Sequence, residues 1–397
     1  MIYRTQAMKK LEGYLDKKII KVITGIRRCG KSTLMEMFRD HLKSTGVGDD
    51  QIVFLNFESL ENRNLADHLS LYNHVTQQLS ADRMNYVFLD EVQNVSQFQK
   101  AVDSLYIRKN VDLYITGSNA DLLSSELATL LSGRYVEIRL LPLSFKEYLS
   151  FHGDTSDLGR RYADYLRFGS FPFVLELERN GDLIRDYLEG LYHTVVVKDV
   201  IARKRISDVM LLESIIRYMF DNVGNLHSTK KISDTLTSFG RKVSTHTVES
   251  YLTALKECFI LYQVNRFDIK GKQYLKTLEK YYAVDPGLRT FVLGNRSTDG
   301  GRMLENVVFL ELIRRGHEVA VGKFNNLEID FVATRAGTTE YFQVAATVRD
   351  EQTLARELRP LRKIRDHYPK TLLTLDDDPP ADHDGIIRLN ALEFLLN

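Results

Sequence analysis

Two short groups of residues in this 397-residue chain have the types and spacing to work on phosphate: Gly30-Lys31-Ser32, and the adjacent carboxylates Asp90-Glu91. The first ends the run Gly25-Ile26-Arg27-Arg28-Cys29-Gly30-Lys31-Ser32, a full G-x-x-x-x-G-K-[ST] pattern. Two glycines let a backbone turn tightly and approach an anion closely. Successive backbone N–H groups and the start of a helix then present positive charge to phosphate oxygens. Lys31 adds a compact cation for β- and γ-phosphates, and the Ser32 hydroxyl suits Mg²⁺. The expected nucleotide-binding set is therefore Gly25, Ile26, Arg27, Arg28, Cys29, Gly30, Lys31, Ser32 and Thr33. Cys29 places a thiol in the loop, so a thiol reagent is expected to slow turnover and bound nucleotide to protect it.

Asp90 and Glu91 end the apolar run Tyr86-Val87-Phe88-Leu89. Parallel sheets bind ligands at the carboxyl ends of their strands, which would bring both carboxylates to the phosphates. Asp90 then suits Mg²⁺, held through water, and Glu91 suits a general base that polarises the attacking water. Ser118 and Asn119 end another strand-like run, Val111 to Gly117. Either of them contacts the γ-phosphate or orients water, or caps the helix starting at Ala120 or Asp121. Arg134 stands at the start of a further strand, as an arginine finger or as a solvated strand-end arginine.

These groups need a particular scaffold. Ile19 to Ile23 reads as a buried strand and Thr33 to Arg39 as the helix after the loop. Residues 51–57, 84–89, 111–117 and 132–140 read as further strands, and Asp67 to Leu79 as a helix. A strand intervenes between the loop and the Asp-Glu strand, and the glutamate follows the aspartate directly. Both features mark the additional-strand division of phosphate-loop ATPases. No N-K-x-D motif is present to read guanine, so ATP is expected rather than GTP.

Composition narrows the class. With 44% hydrophobic and 27% charged residues the chain can build packed cores. A net charge of +1 gives no global basic excess, so any nucleic-acid surface is a local patch. Cys29 and Cys258 are too far apart in sequence to suggest a disulfide framework or a zinc site, and they fit a reducing, cytoplasmic setting. The amphipathic N-terminus is not a secretory signal, and no apolar run is long enough to span a membrane.

The segments TGIRRCGKST, FLDEVQNV, YITGSNADLLS and SGRYVEIRLLPLSFKEYL resemble the prokaryotic AAA-type ATPases with a C-terminal domain of unknown function. The resemblance runs over nearly the whole chain. It implies an α/β fold: an additional-strand phosphate-loop core in residues 1–150 and a helical linker in 151–207. The linker carries a basic cluster of Lys198, Arg203, Lys204 and Arg205.

Residues 208–297 then follow the element order of a winged helix-turn-helix. Its third helix begins with small polar residues after Arg241-Lys242 and meets either DNA or a protein partner. Residues 298–397 resemble a restriction-endonuclease-like α/β domain, with Glu305, Asp330 and Gln343 at the metal-site positions. Its lysine position is Ala345, and Gln343 replaces an acid, so cleavage is not expected. Arg349, Arg356 and Arg359 offer contacts to a phosphate backbone, and Asp376-Asp377-Asp378 reads as a solvated turn. The expected activity is Mg²⁺-dependent ATP hydrolysis that drives a conformational switch. DNA, a protein partner or a second copy of the chain are the possible partners.

Overall fold

The computed structural model describes residues 2–118, 131, 133–153, 157–201, 206, 208–294 and 300–397. Asn119, the expected helix start at Ala120 or Asp121, Arg203, Lys204 and Arg205 lie outside the described residues, as does the side chain of Lys198. The chain forms two compact units, one holding Tyr3–Leu141 and the other Pro142–Lys256 and Ile260–Asn397. The division falls at Pro142, earlier than the expected boundary at residue 150.

The first unit contains α1 (Thr5–Gly13), β1 (Ile20–Thr24), α2 (Lys31–Ser44), β2 (Ile52–Asn56), α3 (His68–Gln78), β3 (Asn85–Asp90), α4 (Phe98–Ile107), β4 (Val111–Gly117) and β5 (Tyr135–Arg139). The sheet runs β2-β3-β4-β1-β5. Every adjacent pair is parallel. Strand β4 lies between β1 and β3, as the additional-strand division requires.

Strands β1, β3 and β4 are buried at every position. That is why they read as continuous apolar runs rather than alternating ones: both faces of the sheet are covered. On one face Phe88 stacks on Tyr114 with ring centroids 4.7 Å apart, and Phe38 of α2 packs on Tyr114 at 5.2 Å. Truncating Phe88 to alanine would cost about 3–5 kcal/mol. The charged Lys21 in β1 is tolerated because it pairs with Asp112 of β4, which also accepts from the Tyr114 hydroxyl at 2.8 Å. Asp67 starts α3 by accepting from the N–H groups of Leu69 and Ser70, a cap worth about 1 kcal/mol.

The second unit opens with α5 (Phe145–His152), α6 (Leu158–Phe168) and α7 (Gly181–Leu191). Ser144 and Glu147 form a reciprocal capping box at the start of α5. Helices α8 (Val209–Asp221), α9 (Thr229–Ser238) and α10 (Thr245–Glu257) follow, then the hairpin β6 (Leu261–Asp268) and β7 (Gln273–Ala283). The sequence leads to an expectation of three helices and a following strand here, and the structure pairs that strand with β7 as a hairpin. The hairpin does not end there, because β6 also pairs in parallel with β8 (Glu318–Phe324).

The remaining elements are α11 (Pro286–Leu293), α12 (Gly300–Arg314), β9 (Leu327–Arg335), β10 (Thr338–Ala345), α13 (Glu351–Lys363), β11 (Lys370–Thr374), β12 (Ala381–Asp382), β13 (Ile386–Asn390) and α14 (Ala391–Leu396). One mixed sheet runs β12-β13-β11-β10-β9-β8-β6-β7. The expected boundary at 297/298 therefore cuts through a single sheet. Asp376 also departs from the solvated turn expected there. It is buried and accepts from the Thr347 hydroxyl at 2.6 Å and the Val348 N–H at 2.8 Å.

Candidate active site

The glycine loop follows β1 and leads into α2 at the carboxyl end of the sheet. A Cβ on residue 25 would lie 2.1 Å from the Leu140 carbonyl oxygen, so only glycine fits there. Gly30 has φ of 100° and occupies the N-cap position of α2, where no side chain caps the helix. The first-turn N–H groups of a helix lack intrahelical partners and suit an anion. Ile26 and Cys29 turn into the core. Their contribution to a ligand is backbone alone. Arg27 pairs with Glu58 at 2.5 Å, and Arg28 is exposed with φ of 68°.

The Cys29 thiol donates to the Leu140 carbonyl at 3.3 Å, and burial pushes its pKa up. A wholly buried thiol facing away from the loop's outer side corrects the expectation that reagents reach it. Arg4 braces the same segment from behind, donating to the carbonyls of Cys29 at 3.1 Å and Leu141 at 2.5 Å.

Lys31 is buried, with Nζ 3.3 Å from the Gly25 carbonyl, 3.3 Å from Ser118 Oγ and 3.3 Å from Glu91 Oε1. Asp90 ends β3 beside Asn56, its register partner in β2. Its carboxylate accepts from Asn56 Nδ2 at 2.9 Å, from Thr116 Oγ1 at 2.6 Å and from the Ser32 hydroxyl. Burial pushes the Asp90 carboxyl up, partly offset by the hydrogen bonds from Thr116 and Ser32.

Glu91 adopts φ of 53°, a left-handed conformation costing about 1–3 kcal/mol in a non-glycine residue. Its N–H donates to Thr116 Oγ1 at 2.8 Å, which offsets part of that cost. Its carboxylate accepts from Ser118 Oγ and from Gln93 Nε2 at 2.5 Å. Burial raises the Glu91 carboxyl, but the Lys31 charge and these hydrogen bonds outweigh it, and the net displacement is downward.

Five residues singled out in the sequence thus converge: Lys31, Ser32, Asp90, Glu91 and Ser118. Mg²⁺ fits the donor set. Ser32 and Asp90 offer hard oxygens in mutual contact, and phosphate and water oxygens can complete an octahedron. Arg134 does not join them. It precedes β5 at the amino end of the strands, where its carbonyl accepts from Ile20, the first residue of β1. There it pairs with Asp103 at 2.6 Å and lies over the Tyr106 ring. Within its own chain it cannot serve the loop, because a residue preceding a parallel strand sits at the end opposite the site.

Asn56, Thr116 and Gln93 are functional neighbours that the sequence motifs do not single out. A signal exists for two of them, since Asn56 and Thr116 each sit at the end of an apolar strand run.

A second cluster of charged residues lies in the other unit. Lys280 of β7 places Nζ 2.8 Å from Glu305 of α12, 2.9 Å from Glu328 and 3.6 Å from Asp330, the latter two in β9. The Tyr282 hydroxyl also donates to Glu305 at 2.6 Å. Burial and the Glu305 charge, opposed by Lys280, push the Asp330 carboxyl up to about 8. Gln343 bonds the Asp330 N–H at 3.3 Å and Glu357 at 2.9 Å. Among the described residues no group of three or more His, Cys, Asp or Glu side chains is arranged to hold a metal ion. Arg349 and Arg356 are exposed, and each lies beside carboxylates.

The first unit has the fold and glycine loop of an AAA-type phosphate-loop core, and comparison with other proteins agrees. Residues 17–149 match the family described as AAA domain, and residues 159–299 match a domain of unknown function (DUF8612). An uncharacterized protein of Haemophilus influenzae is 40% identical over 402 residues, spanning 100% of this chain and 99% of the relative. The uncharacterized protein MJ1544 of Methanocaldococcus jannaschii is 31% identical over 79% of this chain and 71% of its own length. The chain belongs to one family with these two proteins. Among solved structures, the Walker-type ATPase PABY2304 of Pyrococcus abyssi superposes with a TM-score of 0.52 at 18% identity. That match covers 74% of this chain and 96% of the other, and it establishes likeness of fold.

Proposed function

We propose that this protein binds ATP with Mg²⁺ at the glycine loop and hydrolyses it, and that the nucleotide state resets the second unit. The observation that carries this reading is the convergence of Lys31, Ser118 and Glu91 within 3.3 Å contacts at the mouth of the loop. The loop N–H groups and Lys31 hold the β- and γ-phosphates. Ser32 and Asp90 would hold Mg²⁺, which neutralises phosphate charge when bound. Glu91, kept ionised by its neighbours, accepts a proton from the attacking water. The water oxygen bonds to the γ-phosphorus as the bond to the bridging oxygen breaks, leaving ADP and phosphate. Glu91→Gln should keep ATP bound while losing turnover, and Lys31→Ala should weaken binding itself. Wild-type turnover in Glu91→Gln would remove the base from the mechanism.

The Lys280 cluster supports a second, structural reading, in which the C-terminal sheet does not cleave DNA. Lys280 is buried with Nζ 2.8 Å from Glu305 and 2.9 Å from Glu328, so its charge is already balanced by carboxylates of its own chain. Plasmid DNA incubated with Mg²⁺ or Mn²⁺ should stay intact. Cleavage abolished by Asp330→Ala would establish a nuclease instead.

The partner surface we propose is the exposed start of α10, at Ser244, Thr245 and His246. DNA there would give a binding constant that falls steeply with salt. No binding at low salt would leave a protein partner. No helix among the described residues is long and apolar enough to cross a membrane, and a cytoplasmic location is part of the same proposal.

A further inference from the structure

We propose that Arg4, which lies outside the glycine loop, is a positioning residue that turns the Gly30 N–H toward phosphate and so sets the affinity for ATP and ADP. The inference rests on the reading of the glycine loop as the nucleotide site. Arg4 precedes α1 and is 5% exposed. Its guanidinium forks between two carbonyls, that of Cys29 at 3.1 Å and that of Leu141 at 2.5 Å. The first belongs to the loop. The second belongs to the segment that leaves β5.

That segment is the wall behind the loop. Leu140 donates its N–H to the Thr24 carbonyl at 2.7 Å, and its own carbonyl accepts the Cys29 thiol at 3.3 Å. The parallel pairing of β1 with β5, unbroken as far as Thr24 and Arg139, fixes the wall in place. Arg4 is held to the wall through Leu141 and passes that rigidity to the loop. Cys29 is pinned twice, at its side chain by Leu140 and at its carbonyl by Arg4.

Peptide geometry gives this pinning a consequence. The Cys29 carbonyl and the Gly30 N–H share one planar trans peptide unit, so they point in opposite directions. A carbonyl drawn back onto a buried cation therefore aims its N–H forward. The Gly30 N–H has no partner among the described residues, which leaves it available to an anion. The cation also polarises the peptide and strengthens that N–H as a donor. Gly30, at φ of 100°, has no side chain to hold the peptide in this orientation, so the restraint has to come from elsewhere. A planar guanidinium suits the task because one fork reaches both carbonyls.

The test is equilibrium binding of ATP and of ADP, each with Mg²⁺, to the full-length chain, with kcat measured at saturating ATP. Loop N–H groups cradle the α- and β-phosphates, which the two nucleotides share. Arg4→Ala should therefore raise Kd for both by the same factor, about 10- to 100-fold, the equivalent of a hydrogen bond to a charged group, with kcat nearly unchanged. Arg4→Lys keeps a cation for one carbonyl and should lose about 3- to 10-fold, and it carries the test where Arg4→Ala fails to fold. Met8→Ala, at a buried position of α1, is the packing control. It should lower the melting temperature and leave Kd for ATP at the wild-type value. Equal rises in Kd for Met8→Ala and Arg4→Ala would overturn the proposal by reducing Arg4 to an anchor for α1. So would a wild-type Kd in folded Arg4→Ala, or a fall in kcat with Kd intact. An ATP affinity unchanged in Lys31→Ala would overturn it by a different route, by removing the loop as the nucleotide site.

Discussion

Lys31 and Lys280 are both buried lysines set among carboxylates, yet their surroundings give them different work. Lys31 sits at the mouth of a glycine loop, where Gly30 leaves the start of α2 uncapped by any side chain. Its carboxylate neighbours are held by other groups: Asp90 by Asn56, Thr116 and Ser32, and Glu91 by Ser118 and Gln93. Lys31 can therefore turn to phosphate without leaving the carboxylates unsatisfied. Lys280 joins β7 to α12 and β9 by its contacts to Glu305, Glu328 and Asp330. The second Asp330 oxygen accepts from the Val344 N–H at 2.9 Å. That cluster is a clasp with its bonds already made. Residue types mark a site only where the surrounding backbone leaves capacity for a ligand.

The comparison can be broken most forcefully at Lys280. Lys280→Met would leave buried carboxylates uncompensated, and unfolding free energy in urea should fall by about 3–5 kcal/mol. A loss under about 1 kcal/mol, on the scale of an exposed pair, would show that the clasp does not hold the sheet to the helix. At the other lysine, Lys31→Ala should reduce kcat/KM for ATP about 10²- to 10³-fold, as loss of a group stabilising transition-state charge does.

A smaller effect sharpens the contrast by pH. The Asp330 carboxyl is raised from 3.8 to about 8 in the folded protein, chiefly by burial. The stability tied to its protonated form is fully present below the unfolded value and is lost as pH rises through the folded one. Wild type should therefore lose stability between about pH 4 and 8 through this group, and Asp330→Asn should not. The difference in unfolding free energy should move in favour of the variant from pH 5 to pH 8.5. An unchanged difference would remove Asp330 as the titrating group. Smallest of all is the expected effect at Cys29. Native protein should keep its ATPase rate in a thiol reagent, with modification of Cys29 by mass spectrometry appearing only after unfolding.

Much of the first site is legible in the sequence. A glycine loop is contiguous along the chain, and Asp90-Glu91 advertises itself by following four apolar residues. Asn56 and Thr116 are harder to see because their roles depend on which strands are neighbours, and it is the sheet order β2-β3-β4 that brings both strand ends beside Asp90. Arg134 misleads because a strand's start and end look alike in sequence but lie at opposite ends of a parallel sheet. Lys280 escapes notice for a longer-range reason. It lies in the region 208–297, which reads as separate from the last domain, and only the pairing of β6 with β8 joins its hairpin to the strand carrying Asp330. Asp376 looks solvated because its partners, Thr347 and Val348, follow a different strand.

The central claim is that chemistry resides at Glu91 and that the Lys280 cluster is structural. Single-turnover ATP hydrolysis by wild type, Glu91→Gln and Lys280→Met, with nucleotide binding measured separately, tests it most directly. Loss of the base should slow hydrolysis about 10²- to 10⁴-fold with ATP still bound, and Lys280→Met, assayed where it remains folded, should hydrolyse at the wild-type rate. Wild-type hydrolysis by Glu91→Gln, or a comparable loss in folded Lys280→Met, would contradict the account.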